Sequence, residues 1–413
     1  MKRSIVLISI LLLGAGPGAA GQGRGPVLAT GDALKISVSD YRDRLKGGFV
    51  GQMAGVVYAA PYEFKFEGSI APEWMLTGWS PAMMPGALIQ DDVYVELTFL
   101  KTLEEHGLEV SPEQIGRDFA ASRYPLWHAN KAARDLLRAG VMPPLSGHPR
   151  LNPHADDIDF QIESDLFGLI SPGMTQAAQE LTWKFGHVMN YGDGVYGGVF
   201  IASMYSAAFF EPDRVKVVQA GLAAIPPESN YARTVRDVLA AYQNDPAAWK
   251  KAWQVIEQRW AGKLHCPERH PLYPWRRQGI GANVNGAYVV IGLLYGQGDP
   301  LATIRIATRC GRDCDCNASS AMGVLGAMIG FEALPPSFKS ALPAMAGRKF
   351  AFSAYDWQSA LAAMEKQALA QIQARGGRED SGSGQSLLTI PSTPPVQLPL
   401  EQWPYDVPGE EVN

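Results

Sequence analysis

Two segments of this chain are apolar around their whole circumference. Residues 194–210 and 317–329 combine glycine and alanine with large apolar side chains at helical spacing, and neither segment carries a charge. A helix that lacks a polar face has to be buried, because no side of it meets water favourably. Both segments are shorter than the roughly 20 residues that span a bilayer, and aspartates precede both. They therefore predict two helices at the centre of a helical bundle.

The rest of the chain from residue 41 to about 374 also follows helical spacing, and we see no internal repeat and no alternating runs with hairpin turns. This favours an all-α, multi-helix fold. Residues 124–173 differ, since prolines, histidines and acids interrupt any period, and they predict long loops over a site. The other predicted helices cover residues 43–57, 92–105, 112–121, 175–185, 212–223, 231–242, 247–261, 283–295, 300–310 and 355–373.

The two ends of the chain differ in composition from this helical part. A basic start, an apolar run over residues 5–13 and small residues before Gly21 are typical of a secretory signal, residues 1–20, cleaved after Ala20. We therefore expect an exported protein, secreted or periplasmic, that is free of the membrane after cleavage. The domains would be a linker over residues 21–40, a helical domain over 41–375, and a flexible or surface-draped extension over 376–413, which is rich in Gly, Ser and Pro.

Charge and cysteine usage exclude several functions. The net charge of -5 offers no basic surface for nucleic acid or anionic lipid, so small molecules or glycans are the expected partners. The four cysteines are too few for a disulfide scaffold. Three of them form a C-x3-C-x-C pattern without a distant second pair, which disfavours a structural zinc site. Cys314 and Cys316 are too close in sequence to reach disulfide geometry easily.

Two acidic pairs precede long apolar helices. Asp91 and Asp92 begin one of them, and Asp313 and Asp315 come just before the predicted helix at 317. A helix cap explains one carboxylate at each place and leaves the second unexplained. Unpaired acids in an apolar bundle would repel each other, whereas oxygen ligands suit a divalent cation. The pairs predict a split metal site, with ordinary caps and solvated acids as the alternative.

These features resemble the landmarks of the ADP-ribosylglycohydrolase family. The family has a glycine-spaced first helix that ends in G-D-A-x-G-x-P-x-E, then a T-D-D-T segment and a late G-G-D-T-D-T-N-A segment. Order and spacing agree from about residue 41 to 336. The matching residues here are Arg44-Leu45-Lys46-Gly47-Gly48, Gly51, Gly55 and Ala60-Pro61-Tyr62-Glu63; Gln90-Asp91-Asp92-Val93; and Gly311-Arg312-Asp313-Cys314-Asp315-Cys316-Asn317-Ala318.

The resemblance implies an orthogonal all-α bundle that holds two adjacent Mg²⁺ ions, with Mn²⁺ or another divalent ion possible in their place. It makes Asp91, Asp92, Asp313 and Asp315 metal ligands. It gives Glu63 the role of the acid that approaches the scissile sugar or orients a water. Read without the family, Glu63 is a surface acid after a turn.

Two departures from the family pattern concern metal binding. The family's hydroxyl ligand before the first acidic pair is here Gln90, whose amide oxygen can still coordinate a cation. The hydroxyl after the second acid of the late segment is Cys316, a softer and poorer partner for magnesium. One metal would be weakened, replaced by a softer ion, or absent.

A third departure concerns the substrate. The family's G-N-G-S run, which lines a nucleotide pocket, is replaced here by the acidic stretch 156–165, which would repel a pyrophosphate and suit a neutral sugar. Tyr191-Gly192-Asp193 replaces a family histidine before Gly-Asp. Asp157 is our candidate proton donor to the leaving group. The predicted substrate-binding residues supply aromatic and hydrogen-bonding groups: Trp127, His128, Asn130, His154, Asp156, Asp159, Tyr191 and Asp193.

Together these features predict an exported, divalent-metal-dependent hydrolase that cleaves a glycosidic bond at a ribose-like or other small sugar. Two alternatives stay open: a glycosidase on environmental glycans or nucleosides, and a sugar-binding protein that has kept the fold and lost turnover. His128 or His154 could act as acid or base, or be structural.

Overall fold

The computed structural model describes residues 33–266, 280–381 and 385–403. The predicted signal, residues 1–20, and most of the predicted linker lie outside the described residues. Three short 3₁₀ helices, Ala60–Tyr62, Glu73–Met75 and Pro81–Ile89, connect the first two α-helices. In chain order the helices are α1 (Val38–Ala59), α2 (Asp91–His106), α3 (Pro112–Ala121), α4 (His128–Arg138), α5 (Asp159–Ile162), α6 (Asp165–Leu169), α7 (Thr175–Gly186), α8 (Asp193–Ala208), α9 (Arg214–Ala223), α10 (Asn230–Asn244), α11 (Trp249–Trp260), α12 (Ala282–Tyr295), α13 (Pro300–Cys310), α14 (Cys314–Ile329), α15 (Pro336–Lys339), α16 (Leu342–Met345) and α17 (Trp357–Ala374).

Helices α8, α12 and α14 form the centre of the bundle, and nearly all of their residues are buried. This confirms the prediction made from the two apolar segments, α8 and α14. Each of the three lacks a polar face, so each has to be surrounded by other helices. None of the described helices is both long and apolar enough to cross a membrane.

Helices α1 and α14 pack unusually closely, and glycines spaced by four residues make this possible. A Cβ atom at Gly47 would lie 2.4 Å from the Gly326 carbonyl oxygen, and one at Gly51 would lie 2.4 Å from that of Met322. At Gly55 the distance to the Ala318 oxygen would be 2.1 Å. Any side chain at these positions would collide with backbone. The glycines thus bring the C-terminal end of α1 beside the N-terminal end of α14.

A small sheet pairs the strand before α1 with two strands that follow α17. β1 (Ala33–Ser37) pairs antiparallel with β3 (Ser386–Pro391), which also pairs antiparallel with β2 (Arg378–Ser381), so the strand order is β1-β3-β2. The register places Ala33 opposite Pro391. The described part of the extension therefore starts as two paired strands, where the sequence predicted a flexible or surface-draped segment.

Two sequence predictions of local structure were wrong. Residues 124–173, expected to be loops, contain α4, α5 and α6. The apolar positions of α4 are alanines and leucines on one narrow face, and the charged residues between them hid the period. Helix α14 begins at Cys314, three residues before the predicted start near Asn317, so Asp315 already lies in its first turn.

Candidate functional site

A cavity of about 470 Å³ opens where α1, α2, α4, α5 and α14 approach one another. Residues from five separate segments of the sequence meet there. Its lining residues are Glu63, Phe64, Ile89, Gln90, Asp91, Tyr94, Leu126, Trp127, His128, Asn130, Ile158, Asp159, Ile162, Asp313, Asp315 and Cys316. The cavity thus brings together most of the residues that the sequence analysis nominated for metal or substrate.

The loop after Glu63 is fastened to the loop before Asp313. The Phe64 amide donates to the Arg312 carbonyl, and the Arg312 amide donates to the Phe66 carbonyl, each at 2.9 Å. A Cβ at Gly311 would lie 2.0 Å from the Phe66 oxygen, so only glycine allows this approach. These contacts set the position of Glu63 relative to Asp313.

Arg312 itself is held by a forked ion pair. Its Nε and Nη2 atoms donate to Oε1 and Oε2 of Glu257 at 2.8 and 2.9 Å. Tyr288 donates its hydroxyl to the same carboxylate. Arg312 has a left-handed backbone, with φ of 60°, which costs energy for a residue with a side chain. The ion pair on α11 thus offsets a strained turn that presents Asp313.

Asp91 and Asp92 occupy the first turn of α2 and face different ways. Successive helical residues are rotated by about 100° from each other. Asp91 lines the cavity, whereas Asp92 is fully buried beneath it, where its Oδ2 lies 3.5 Å from the Cys316 sulfur. Asp313 precedes α14 and Asp315 lies in its first turn, and both line the cavity although they are almost wholly buried.

The buried carboxylates have oxygens that nothing satisfies. Oδ1 of Asp92, Asp313 and Asp315 each lacks a hydrogen-bond partner among the described residues. Orphaned buried oxygens of this kind are rare and call for an explanation. Several carboxylate oxygens facing one point are the donor set that Mg²⁺, Mn²⁺ or Ca²⁺ requires. The residues present therefore fit a divalent cation.

The raised pKa values of these carboxyl groups also favour a cation site. Burial raises the pKa of Asp315 to about 6, with a hydrogen bond to Asp313 opposing the rise. Burial, and then the charge of Asp315, raises the pKa of Asp313 well above its ordinary value. Burial also raises the pKa of Asp92, and Asp91 adds to the rise. Burial thus makes each of these carboxyls bind a proton more readily than a free aspartate does, and a bound cation would favour their charged forms.

Glu63 stands at the mouth of the cavity. Solvent reaches its side chain, but the surrounding protein removes much of its hydration. This burial, followed by the charges of Asp315 and Asp91, raises the pKa of Glu63 to about 8. A carboxyl group with a pKa near neutrality can give or take a proton at physiological pH.

Gln90 and Cys316 both line the cavity. Gln90 is the residue before α2, and its side chain makes no capping bond to that helix, so its amide remains available to the cavity. Burial raises the pKa of the Cys316 thiol well above its usual value, and the charge of Asp313 adds to the rise. The thiol thus keeps its proton in the metal-free site and points it towards Asp92.

Helices α4 and α5, with Trp127 just before α4, form one wall of the cavity, and this wall carries four of the predicted substrate-binding residues. Trp127 is half exposed and lines the cavity together with His128, Asn130 and Asp159. The Asn130 backbone amide donates to Asp159 Oδ1 at 3.0 Å, which ties the start of α4 to α5. Burial raises the pKa of Asp159 to about 7, with that hydrogen bond opposing the rise.

Asp157 and His154 lie behind this wall and do not line the cavity. His154 Nδ1 is 2.6 Å from Asp157 Oδ2, and both side chains are buried. The cavity residue His128 has its Nδ1 3.9 Å from the same oxygen. His128 thus lines the cavity, whereas Asp157 lies behind it.

Asp156, Tyr191 and Asp193 lie away from the cavity. Asp156 Oδ2 accepts hydrogen bonds from the backbone amides of His265, at 2.7 Å, and Cys266, at 3.1 Å. Asp193 Oδ1 accepts from the Tyr231 amide at 3.2 Å, at the start of α10. These bonds give both aspartates a role in holding segments together.

The C-terminal segment covers Tyr191. The Tyr191 hydroxyl donates to the Gln402 carbonyl at 3.0 Å. Glu401 accepts from the Gly192 amide at 2.7 Å and lies 3.0 Å from His187 Nε2. Trp403 stacks on His265 with ring centroids 4.5 Å apart. The extension thus braces the segments that carry Asp156 and Asp193.

The sequence analysis missed several lining residues. Tyr94 comes three residues after Asp91, so both lie on one face of α2, and this spacing could have revealed it. Phe64, Ile158 and Ile162 gave no comparable signal. Glu163 is wholly buried and accepts a hydrogen bond from the Asn130 side chain, which fixes that amide within the wall.

Comparisons with known proteins address the fold and the family. A family profile described as ADP-ribosylglycohydrolase matches residues 37–377. A solved chain described as "ADP-ribosylglycohydrolase-related protein complex" is similar, with a TM-score of 0.52 and 16% sequence identity, over 80% of this chain and 100% of that one. At this identity the likeness concerns the fold alone, and it confirms the predicted all-α class. A search of curated proteins finds no significant match.

Proposed function

The family profile covers most of the chain, so the chain belongs to the ADP-ribosylglycohydrolase family. We propose that this protein is an exported, divalent-metal-dependent hydrolase that cleaves a glycosidic bond at a ribose-like or other small sugar. Membership suggests a glycohydrolase. The observation that carries the finer proposal is the group of buried carboxylates at one cavity, three of which have an oxygen without a partner among the described residues.

Asp91, Asp92, Asp313 and Asp315 would hold the cations, with Gln90 as an oxygen ligand at the rim. Such ions can fix neighbouring sugar hydroxyls and polarise a water. Mg²⁺ suits the all-oxygen part of the set, and Mn²⁺ would also be accepted. Cys316 is a poor ligand for either ion.

The side chains around the cations would bind and orient the sugar. Trp127 offers an apolar plane beside the cavity, and sugar rings pack their C–H faces on such planes. Asn130 and Asp159 offer hydrogen bonds to hydroxyls. The Glu63 carboxyl stands at the mouth with a pKa of about 8, so it can exchange a proton at the anomeric centre or orient a water there.

A neutral sugar suits this cavity better than a pyrophosphate. Five of its lining residues carry a carboxyl group, and none of the described lining residues is a lysine or an arginine. Anionic groups would meet repulsion unless the cations compensated for it. This supports a nucleoside or glycan fragment as the substrate, with ADP-ribose on a protein as the competing possibility.

The test is hydrolysis of ADP-ribosylated peptide, nucleosides and aryl furanosides and pyranosides, with and without chelator. We expect activity on a neutral substrate that chelator abolishes and Mg²⁺ or Mn²⁺ restores. Asp313→Asn should abolish turnover and metal retention. Asp118→Asn, in a surface cluster with Glu105 and His106, is the matched control and should do neither. Unchanged turnover in Asp313→Asn would refute the metal-dependent mechanism.

A second candidate, a sugar-binding protein without turnover, is favoured by the protonated thiol of Cys316, which takes a ligand position and points at Asp92. In that case the purified protein would retain no divalent ion and would bind a sugar whose bond it leaves intact. Calorimetry with the same panel, combined with metal analysis, separates the two candidates.

A further inference from the structure

A second cluster of metal-binding side chains lies beside the cavity, and its chemistry differs from that of the aspartates. His128, His154 and Asp157 each offer one ligand atom, and these three atoms all lie within 4.8 Å of one another. Two imidazoles and one carboxylate form a ligand set that hard cations do not prefer. Zinc and the other divalent transition metals do prefer it, and catalytic zinc sites with two histidines and one acid are one example.

The distances suit a single ion. Zinc binds imidazole nitrogen and carboxylate oxygen at about 2.0–2.2 Å, so ligand atoms around one ion lie roughly 3–4 Å apart. Asp157 Oδ2 is 3.9 Å from His128 Nδ1 and 2.6 Å from His154 Nδ1. The two rings meet edge to face, with centroids 5.5 Å apart. Only a small widening of the His154–Asp157 contact is needed.

The loop that carries His154 and Asp157 is firmly held. The Asn152 side chain accepts from the His154 amide at 3.0 Å and donates to the carbonyls of Ala129 and Met189 at 3.1 and 2.8 Å. The backbone also forms a turn between the two residues, in which the Asp157 amide donates to the His154 carbonyl at 2.9 Å. The two ligands are therefore positioned before any ion arrives, which reduces the cost of ordering them.

His128 is presented by a strained backbone. Its φ is 41°, in the left-handed region that residues with side chains seldom adopt, and it is the first residue of α4. Strain of this kind persists where the surrounding structure maintains it, and it is frequent at functional sites. The strained turn directs His128 towards Asp157 while part of its ring faces the cavity.

We propose that His128, His154 and Asp157 bind one divalent transition-metal ion, of which Zn²⁺ is the best fit, at a site separate from the aspartate cluster. Binding through Nδ1 would move the proton shared between His154 Nδ1 and Asp157 Oδ2 to Nε2 of the same ring, so that the neutral imidazole keeps one N–H. Water from the cavity would complete the coordination on the side of His128. The ion would then border the same cavity as the oxygen-rich cluster.

The experiment uses the full-length exported chain, stripped with chelator and then saturated with Mg²⁺ to fill the oxygen-rich cluster. Zn²⁺ is titrated by calorimetry, which gives the affinity and the number of ions bound. Co²⁺ is used as a spectroscopic probe of the ligands. We expect one Zn²⁺ per chain and a Co²⁺ spectrum without a thiolate charge-transfer band.

Variants locate the ion. His128→Gln and His154→Gln should each weaken Zn²⁺ binding by more than the roughly 10–100-fold that loss of an outer-shell partner costs. His148→Gln, at another histidine of the preceding loop, is the matched control and should bind Zn²⁺ as the unmodified protein does. Cys316→Ser should also leave Zn²⁺ binding unchanged, since the thiol belongs to the other cluster.

Three results would overturn the proposal: no Zn²⁺ uptake in the presence of Mg²⁺, undiminished uptake in both histidine variants, or loss of uptake in Cys316→Ser. His128 is partly exposed, so its variant should fold even if the buried His154→Gln does not. None of these measurements uses turnover, so their outcome does not depend on the proposed hydrolase activity.

Discussion

Cys316 occupies a position where a hydroxyl would serve a magnesium ion better. Its sulfur lies 3.5 Å from Asp92 Oδ2, and burial raises the pKa of the thiol. A protonated thiol that donates to Asp92 competes with a cation for that carboxylate. In the proposed metal site, this sulfur would therefore weaken the binding of a hard ion.

We predict that Cys316→Thr tightens Mg²⁺ binding about tenfold, because a hydroxyl oxygen is a harder ligand than sulfur. The measurement is calorimetric titration of the chelator-stripped protein. Cys314→Ser is the control, since Cys314 is equally buried and its sulfur faces the Ala59 carbonyl at 3.7 Å. Equal affinities in the Thr variant and the original protein would show that position 316 does not contact the ion.

Arg312 illustrates how burial changes the contribution of an ion pair to the free energy of unfolding. We predict that Arg312→Gln destabilises the fold by about 3 kcal/mol or more, because it leaves Glu257 largely buried without its cation. Arg42→Gln removes a similar pair with Glu365, but the Arg42 side chain is 61% exposed, so the cost should stay below about 1 kcal/mol. Urea denaturation of both variants tests the contrast, which equal losses would contradict.

Residue identity was enough to nominate most of the cavity. Asp91, Asp313 and Asp315 were nominated because acids at helix starts need an explanation, and the family resemblance added Glu63. Asp156 was nominated from the acidic stretch and Asp193 from the segment that replaces a family histidine, yet the structure uses both to accept backbone hydrogen bonds. An acid that binds a ligand and an acid that ties two loops together look alike in a sequence, because the partner amides come from distant segments.

At the scale of elements, the approach of α1 to α14 controls the geometry of the aspartates. We predict that Gly55→Ala destabilises the protein by about 1–3 kcal/mol and weakens divalent-cation binding, since its Cβ would lie 2.1 Å from the Ala318 carbonyl oxygen. The displaced part of α14 is its first turns, which carry Asp315.

The control for this variant is Gly78→Ala. A Cβ at Gly78 would meet nothing within 4 Å, so stability and cation affinity should be unchanged. Thermal unfolding and calorimetry with Mg²⁺ are the measurements. If Gly55→Ala lost stability and kept its cation affinity, the glycine contact would serve packing alone.

Helix positions were largely predictable, because capping residues and apolar periods mark them locally. Helices α3 and α13 match their predicted ranges, 112–121 and 300–310, to the residue, and both start with proline after a capping side chain. The pairing of β1 with β3 could not be predicted, since its partners are separated by over three hundred residues and neither strand alternates clearly. Strand pairing of this range depends on where the intervening bundle places the two ends.

At the scale of the whole molecule, buried acids make stability depend on pH and on cations. Burial raises the pKa of Asp159 and of Asp165 to about 7 each, from an ordinary value near 4. Between those values the folded protein holds protons that the unfolded chain has lost. The contribution of these two groups to the free energy of unfolding therefore falls as pH rises through this range and levels off above about 7.

We predict that the melting temperature in chelator falls from pH 5 to pH 8, and that Mg²⁺ raises it most at pH 8, where binding displaces the fewest protons. Asp159→Asn should flatten the curve in chelator, because it removes one titrating group and keeps an oxygen for the Asn130 amide. Asp118→Asn is the surface control. A melting temperature that rose with pH in chelator would contradict the assignment of raised pKa values.

The three-stranded sheet has a consequence for engineering. Because β1 pairs with β3, the chain enters the bundle beside a strand that follows its last helix, and residues 396–403 then continue to Gln179, Tyr196 and Tyr191. Proteins with neighbouring termini tolerate circular permutation. A version that ends after β3, is joined from there to β1 by a flexible linker and has its new termini at Gly68, where nothing crowds the backbone, should still assemble the cavity. It would lack the contacts that residues 401–403 make with Tyr191, Gly192 and His265.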